Sequence, residues 1–133
     1  MRSIFTGLAA TALVMTMAGA ALAGEGGDAA KGKKVFTRCK ACHTIDEGGA
    51  DRIGPNLHGV IGRTAGTKEG FKFSDAMIQH GEDGLVWNDE TLHTYLEKPA
   101  AMVPGTMMSF PGLKKEKDRD NVIAYIESES GAE

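Results

Sequence analysis

Residues 39–43 read Cys39-Lys40-Ala41-Cys42-His43, and they contain both cysteines of the 133-residue chain. Two residues between cysteines suit a structural disulfide, a redox dithiol or half of a zinc site. Zinc needs more ligands and no second cysteine pair exists, while a thioredoxin-like dithiol needs a βαβ context that is missing here. Because a histidine follows the second cysteine directly, the run matches the attachment signature of c-type haem. On a helical turn the two thiols bond the two vinyl arms of the porphyrin, with the imidazole beneath the iron.

The first 23 residues have the organisation of a secretory signal peptide. Arg2 gives a positive start, residues 4–23 carry no charge, and the segment ends Ala21-Leu22-Ala23, a pattern that signal peptidase accepts. We expect cleavage after Ala23, which leaves residues 24–133 as one exported domain in the periplasm. The alternative is an uncleaved membrane anchor, although its many Ala, Gly and Thr residues make this run weakly apolar for that task. Export favours the haem interpretation, since bacteria attach c-type haem outside the cytoplasm.

Composition narrows the class of protein further. The chain has 18 acidic residues against 15 Lys and Arg, a net charge of −3, and a nucleic-acid binder would normally carry a basic excess. Removing Arg2 with the signal segment leaves 14 basic residues and a net charge of −4. With 18 glycines but only 5 Phe, 1 Trp and 2 Tyr, the side chains make a thin core that a bound cofactor would help to fill.

The sequence pattern predicts an all-α domain of about four to five short helices and glycine-rich loops, wrapped around the cofactor. Asp28 is a good N-cap for the first helix, and Ala29, Gly32 and Phe36 share one of its faces. Predicted helices span residues 28–40, 74–80, 88–98 (ended by Pro99) and 116–128. We expect long loops at residues 46–70 and 104–112, and a fraying acidic tail at residues 127–133.

A six-coordinate haem iron needs a second axial ligand opposite His43. The candidates are His58, His80, His93 and the methionines at 77, 102, 107 and 108. The run from Pro104 to Phe110 stands out, because a Pro-Gly turn fixes an extended loop whose thioether can face the iron. Thioether ligation favours ferrous iron and raises the reduction potential. Spacing alone does not choose between Met107 and Met108.

These features together resemble the class I c-type cytochromes, close to mitochondrial cytochrome c and the shorter bacterial cytochromes c2. The similarity covers about residues 27–126. The matching runs are Gly32-Lys33-Lys34-Val35-Phe36, residues 39–44, Gly54-Pro55-Asn56-Leu57-His58-Gly59, Gly62-Arg63, Gly70-Phe71, Trp87, Thr91-Leu92, Tyr95-Leu96-Glu97, Pro99, Pro104-Gly105-Thr106, Met108, Phe110 and Ile123-Ala124-Tyr125. The family pattern Pro-Gly-Thr-x-Met implies that Met108 is the second ligand.

The resemblance implies roles for further residues around one covalent haem c. It implies that the Pro55 carbonyl accepts the second ring N–H of His43, that Tyr95 lies near the Met108 sulfur, and that Phe110 covers the haem edge. The residues that match positions holding the haem propionates are Arg63, Ser74, Trp87 and Thr106. The first and last helices are expected to cross near Gly32, Phe36, Val122 and Tyr125.

The sequence also departs from the family pattern. Phe73 stands where mitochondrial cytochromes have a tyrosine bonded to a propionate, Met77 stands where they have an asparagine, and residues 80–86 form a loop three residues longer. The expected basic rim of the haem edge is Arg38, Lys40, Lys98, Lys114 and Lys115, but Ala100, Ala101 and Met107 are uncharged where the family is often basic. We therefore expect a basic face, an acidic back and weaker electrostatic steering than in a basic relative.

The resemblance implies a soluble, monomeric monohaem electron carrier in a respiratory or photosynthetic chain. Its implied donor is a quinol–cytochrome c oxidoreductase, and its acceptor is a cytochrome oxidase, a photosynthetic reaction centre or cytochrome c peroxidase. Closed His43/Met108 coordination leaves no open position on the iron, which argues against an enzyme. Two alternatives stay open at this point: a haem enzyme or gas- or peroxide-binding protein with a labile Met108, and a membrane-tethered cytochrome that keeps residues 1–23.

Overall fold

A computed structural model describes residues 26–131, so the predicted signal segment lies outside the described residues. Within this range the chain forms five helices and no strand, apart from one isolated bridge between Thr64 and Val86. The helices are α1 (Ala29–Phe36), α2 (Asp75–Glu82), α3 (Asp89–Glu97), α4 (Pro99–Met102) and α5 (Glu116–Glu129). This arrangement confirms the all-α prediction.

The packing of α1 against α5 explains the glycine in the middle of α1. A Cβ atom at Gly32 would overlap the Asn121 carbonyl and lie 2.8 Å from Tyr125 Cβ. The rings of Phe36 and Tyr125 pack at 5.2 Å beside this point, and the Asn121 side chain accepts a hydrogen bond of 2.8 Å from the Asp28 backbone N–H. The roughly 1 kcal/mol that a mid-helix glycine costs is therefore offset by close backbone contact.

The first helix ends earlier than predicted, at Phe36 instead of residue 40. Its backbone hydrogen bonds change from i→i−4 to i→i−3 at Thr37, Arg38 and Cys39, where the N–H groups bond Lys34, Val35 and Phe36 carbonyls. That change tightens the chain into turns. The Cys39 carbonyl then accepts from both Cys42 and His43, at 3.0 and 2.9 Å, so the cysteine pair lies on a turn that follows the helix.

The sequence prediction missed α4. Pro99 ends the preceding helix as expected, because Lys98 adopts the extended conformation that a following proline favours (φ −157°, ψ 92°). However, Pro99 also occupies the first position of a new helical turn, where its missing N–H is not needed. Helices α2 and α3 both begin at capped positions, since the Ser74 and Asn88 side chains accept hydrogen bonds from Met77 and Thr91 N–H.

The prediction of a fraying tail from residue 127 is wrong over the described residues. Helix α5 continues to Glu129, and Ser130 is only 2% exposed. The Ser130 carbonyl accepts a hydrogen bond of 2.8 Å from Gly59 N–H, and His58 Nδ1 lies 3.1 Å from the Glu129 carbonyl. The end of α5 is thus fixed to the loop around His58.

Candidate functional site

The helices and the long loop surround one deep cleft with a largely apolar lining. Its apolar walls include Leu57, Val60, Phe71, Phe73, Met77, Trp87, Leu92, Leu96, Val122 and Ile126. All eleven residues predicted for the site also line this cleft: Cys39, Cys42, His43, Pro55, Arg63, Ser74, Trp87, Tyr95, Thr106, Met108 and Phe110. Residues separated by up to about two thirds of the chain therefore meet around one cavity.

The two cysteines lie at the edge of this cleft as free, half-buried thiols. Burial raises the pKa of Cys39 to about 11, and the nearby Arg38 opposes this shift only partly. The Cys39 thiol is therefore protonated at neutral pH. Free thiols at the wall of an apolar cavity suit the formation of thioether bonds to an apolar ring.

His43 presents one specific ring nitrogen to the cleft. Its Nδ1 atom lies 2.7 Å from the Pro55 carbonyl oxygen, which can only accept. The proton of the neutral ring is therefore on Nδ1, and the Nε2 lone pair is free to bind a metal. Burial lowers the pKa of His43 more than the Pro55 hydrogen bond raises it. Gly54 lies against the ring, because a Cβ atom there would be 2.7 Å from Nδ1 and 2.8 Å from Nε2.

Met108 lies in a loop that is organised by Thr106. The Thr106 hydroxyl accepts a hydrogen bond of 3.2 Å from Met108 N–H and lies 3.1 Å from the Tyr95 hydroxyl. The neighbouring Met107 is 61% exposed, whereas Met108 is half-buried and packed against the core. The structure thus distinguishes two methionines that spacing did not. Burial also raises the pKa of Tyr95, against the effect of its hydrogen bond to Thr106.

A cleft lined by both the Cys-x-x-Cys-His turn and a half-buried methionine agrees with the similarity to known proteins. The cytochrome c family model matches residues 29–130. The chain is 51% identical over 102 residues to the cytochrome c of Gibberella zeae, which covers 76% of this chain and 93% of that protein. It is 50% identical over 99 residues to the cytochrome c2 of Afifella marina, covering 74% and 80%.

The chain belongs to the cytochrome c family. It is accordingly a monohaem electron carrier that binds one covalent haem c. The residues present fit this group: the cavity offers apolar walls for the macrocycle, two thiols, an imidazole lone pair and a thioether. No helix among residues 26–131 is long and apolar enough to pass through a membrane.

The polar part of the cleft in this cytochrome suits carboxylates. Two guanidinium nitrogens of Arg63 reach the His58 and Asn56 carbonyls only at 3.4 Å, which leaves donor capacity for a stronger acceptor. Burial lowers the pKa of Arg63, with the charge of Asp51 acting in the opposite direction. The Ser74 oxygen accepts from Met77 N–H at 3.1 Å and keeps its own proton to donate.

At the mouth of the cleft, the Arg38 guanidinium lies 5.5 Å from the centre of the Phe110 ring. Ile53, on the side of His43, is 77% exposed, and the exposed Met107 lies on the other side. All five residues of the predicted basic rim are exposed: Arg38, Lys40, Lys98, Lys114 and Lys115. Of these five residues only Arg38 lines the cleft itself, next to the apolar Ile53, Met107 and Phe110.

The other three histidines of the described chain do not line the cleft. His58 contacts the Glu129 carbonyl and His80 Nδ1 bonds the Ala76 carbonyl within its own helix, at 2.8 Å. His93 joins α3 to α5 through Arg119 and Asp120. The sequence offered these histidines only as candidate axial ligands, and no local pattern pointed to a contact across 26 or 27 residues.

Proposed function

We propose that Cys39 and Cys42 attach the haem, that His43 and Met108 are the axial ligands of its iron, and that the protein shuttles single electrons between membrane redox complexes. The observation that carries this proposal is the convergence of two thiols, an imidazole and a thioether on one apolar cleft. When bound, the haem supplies the Fe(II)/Fe(III) couple. The apolar walls exclude water from the cleft, which limits solvent reorganisation when the charge changes.

The hydrogen-bonded partners of the two ligands support their proposed roles. The Pro55 carbonyl fixes the tautomer and orientation of His43 and increases its basicity. Tyr95 and Thr106 hold the loop of Met108. With haem bound, His43 and Met108 would take both axial positions of the iron, which would leave no position for a substrate. We therefore propose that the protein is not an enzyme.

The polar residues of the cleft are proposed to hold the haem propionates. Arg63 brings a fixed positive charge, while Ser74, Trp87 and Thr106 bring hydroxyl or indole donors at the same cavity. A carboxylate in a partly buried position needs such donors, because an unpaired buried charge is costly. Phe110 is proposed to cover the mouth, where Arg38 lies over its ring.

We further propose that residues 1–23 are removed as a signal peptide and that the carrier works as a periplasmic monomer. Its proposed donor is a quinol–cytochrome c oxidoreductase, and the proposed acceptors are a cytochrome oxidase, a photosynthetic reaction centre or cytochrome c peroxidase. The exposed Arg38 at the cleft, together with the four exposed lysines of the predicted rim, supports docking to acidic surfaces on these complexes. Mature protein that begins at Gly24 in the periplasmic fraction is the expected result, and protein retained in the membrane with residues 1–23 attached would contradict it.

The test of ligation is the visible spectrum of the purified protein, first oxidised and then reduced with dithionite. We expect c-type bands and, in the ferric form, a sulfur-to-iron band that disappears in Met108→Ala. Met107→Ala is the matched control and is expected to keep the band, because Met107 points largely to solvent. A haem spectrum without the sulfur band in the unmodified protein would favour an enzyme or gas sensor with an open iron position.

Docking is tested by measuring the rate of electron transfer to an isolated oxidase at increasing salt concentration. We expect a decrease in the rate, because a local basic face is screened by added ions. We expect this decrease to be smaller than for a strongly basic relative, since the chain carries a net charge of −3. A rate that does not fall with salt would contradict the proposed basic docking face.

A further inference from the structure

A polar network outside the cleft joins α3 to α5. His93 Nε2 lies 2.8 Å from Asp120 Oδ1, and Arg119 Nε lies 3.2 Å from His93 Nδ1. The side chains of His93 and Asp120 are about one quarter exposed, and Arg119 is 6% exposed. A buried guanidinium whose Nε bonds an imidazole is costly to disturb, because burial makes any lost hydrogen bond expensive.

The partners of His93 define its protonation. Arg119 Nε can only donate, so the facing Nδ1 must be the acceptor with a free lone pair. Asp120 can only accept when ionised, so the ring proton is on Nε2. The observed geometry therefore requires neutral His93 in the Nε2–H form. A second proton, on Nδ1, would place two donors opposite each other.

Arg119 connects this network to the loop that carries Met108. Its Nη1 donates to the Leu113 carbonyl at 2.6 Å and to the Lys114 carbonyl at 3.0 Å. On the other side of the same segment, Leu113 N–H bonds the Leu96 carbonyl at 2.7 Å. The chain is thus held between α3 and Arg119 five residues after Met108, at the end of its loop.

We propose that His93 is a positioning residue for the Met108 side of the haem site. Its neutral imidazole orients Arg119, and Arg119 fixes the end of the Met108 loop, so protonation of His93 weakens the hold on the sulfur ligand. The inference rests on the proposed ligation by Met108. His93 thus contributes to electron carriage although it lies outside the cleft.

The charges around His93 come from two helices. Arg119 and Asp120 face it from α5, and Asp89, Glu90 and Glu97 lie one helical turn away on α3, at i−4, i−3 and i+4. Lys114 meets the network through its backbone carbonyl, and its side chain is exposed. A second proton on Nδ1 would break the hydrogen bond from Arg119 Nε, whereas Nε2 would keep Asp120 as its acceptor.

The test uses the haem-loaded protein and azide, which competes with Met108 for ferric iron. Loss of the sulfur-to-iron band on azide addition is titrated at several values between about pH 8 and about pH 5.5, the range in which histidine gains its charge. In the unmodified protein we expect the apparent azide affinity to rise about fivefold as the pH falls across this range. The loss of one hydrogen bond changes an equilibrium constant by about this factor. His80→Gln is the matched control, because the His80 side chain bonds a carbonyl of its own helix, and this variant is expected to keep the full pH dependence.

Two variants of His93 separate positioning from simple packing. His93→Gln retains an acceptor for Arg119 and a donor for Asp120 but cannot gain a proton. At every pH we therefore expect this variant to show the azide affinity that the unmodified protein has at high pH. His93→Leu removes the hydrogen bond that orients Arg119, so azide is expected to bind about fivefold more tightly than to the unmodified protein at high pH, and equally at every pH. If the leucine variant does not fold, the glutamine variant alone decides.

Two results would overturn the inference: an azide affinity of the unmodified protein that does not change with pH, or a His93→Gln variant that keeps the pH dependence. A failure of the proposed ligation looks different. In that case the sulfur-to-iron band is absent from the unmodified protein before any azide is added.

Discussion

The two sides of the cleft are held by different kinds of contact. His43 is fixed by its own neighbourhood, since Pro55 accepts from its ring, Gly54 N–H bonds the Cys42 carbonyl, and Asn56 bonds the Thr44 hydroxyl. The loop of Met108 is instead held by residues of two helices: Tyr95 and Leu96 in α3, and Arg119 in α5. A loop that is held by helices is released when those helices shift. We therefore expect the Met108 loop to unfold locally before the loop on the His43 side.

The largest expected effect comes from Gly112, which ends the Met108 loop. Gly112 has φ +112°, and a Cβ atom there would overlap the Glu97 carbonyl of α3. We expect Gly112→Ala to lower the free energy of unfolding by about 3 kcal/mol or more and to remove the sulfur-to-iron band while haem stays attached. Guanidinium unfolding and the ferric spectrum measure both effects.

Gly84→Ala is the matched control for this substitution, because Gly84 has φ +101° and nothing lies near its Cβ position. It is expected to cost about 1 kcal/mol from backbone strain alone and to keep the sulfur band. If both variants behave alike, the contact between Gly112 and α3 does not hold the Met108 loop.

On the other side, Gly54→Ala presses a methyl group against the His43 ring. We expect a loss of about 2 kcal/mol in the free energy of unfolding, because the ring is fixed by Pro55 and cannot move away freely. The sulfur-to-iron band is expected to persist at neutral pH, since the Met108 loop is untouched. Loss of the sulfur band in Gly54→Ala would show that the two sides are not independent.

A smaller effect is expected for Thr106→Val, which keeps the shape of the side chain and removes its hydroxyl. The Tyr95 hydroxyl and Met108 N–H lose their partner, so the free energy of unfolding falls by about 1 to 2 kcal/mol. The sulfur band is expected to disappear at a lower temperature in a thermal scan. Thr94→Val, on the exposed face of α3, is the control and is expected to leave that temperature nearly unchanged.

The smallest effect concerns the loop on the His43 side and appears as a pH dependence. Asn56 N–H, and then Lys68, lower the pKa of Asp51. The carboxylate therefore stabilises the fold above its ordinary pKa of about 4, and this contribution is lost as the pH falls through the lowered value. Since both charges remain accessible to solvent, Asp51→Asn is expected to cost less than about 1 kcal/mol at neutral pH and nothing in strong acid. Glu47→Gln, at an exposed carboxylate, is the control. If Asp51→Asn lowered the free energy of unfolding equally at neutral pH and in strong acid, the stabilising role of the Asp51 carboxylate would be contradicted.

Sequence alone determined what lies close together along the chain. The Cys39–His43 run, the Pro104–Met108 loop, the family and most of the helices could all be predicted, because short spacing and turn-forming residues act locally. The end of α1 and the presence of α4 were missed. Both depend on one or two backbone hydrogen bonds that propensities do not specify.

Tertiary structure decided the contacts between residues far apart in the chain. The separation of Met107 from Met108 by burial, the anchoring of α5 to His58, and the bonds from His93 to Arg119 and Asp120 all required the packed helices. No periodicity links positions 26 or 71 residues apart, since such pairs meet only after the chain has packed. The sequence by itself thus determined which groups are suited to hold the cofactor. The fold decided which contacts fix each group in place, because those contacts come from other segments of the chain that the local pattern does not specify.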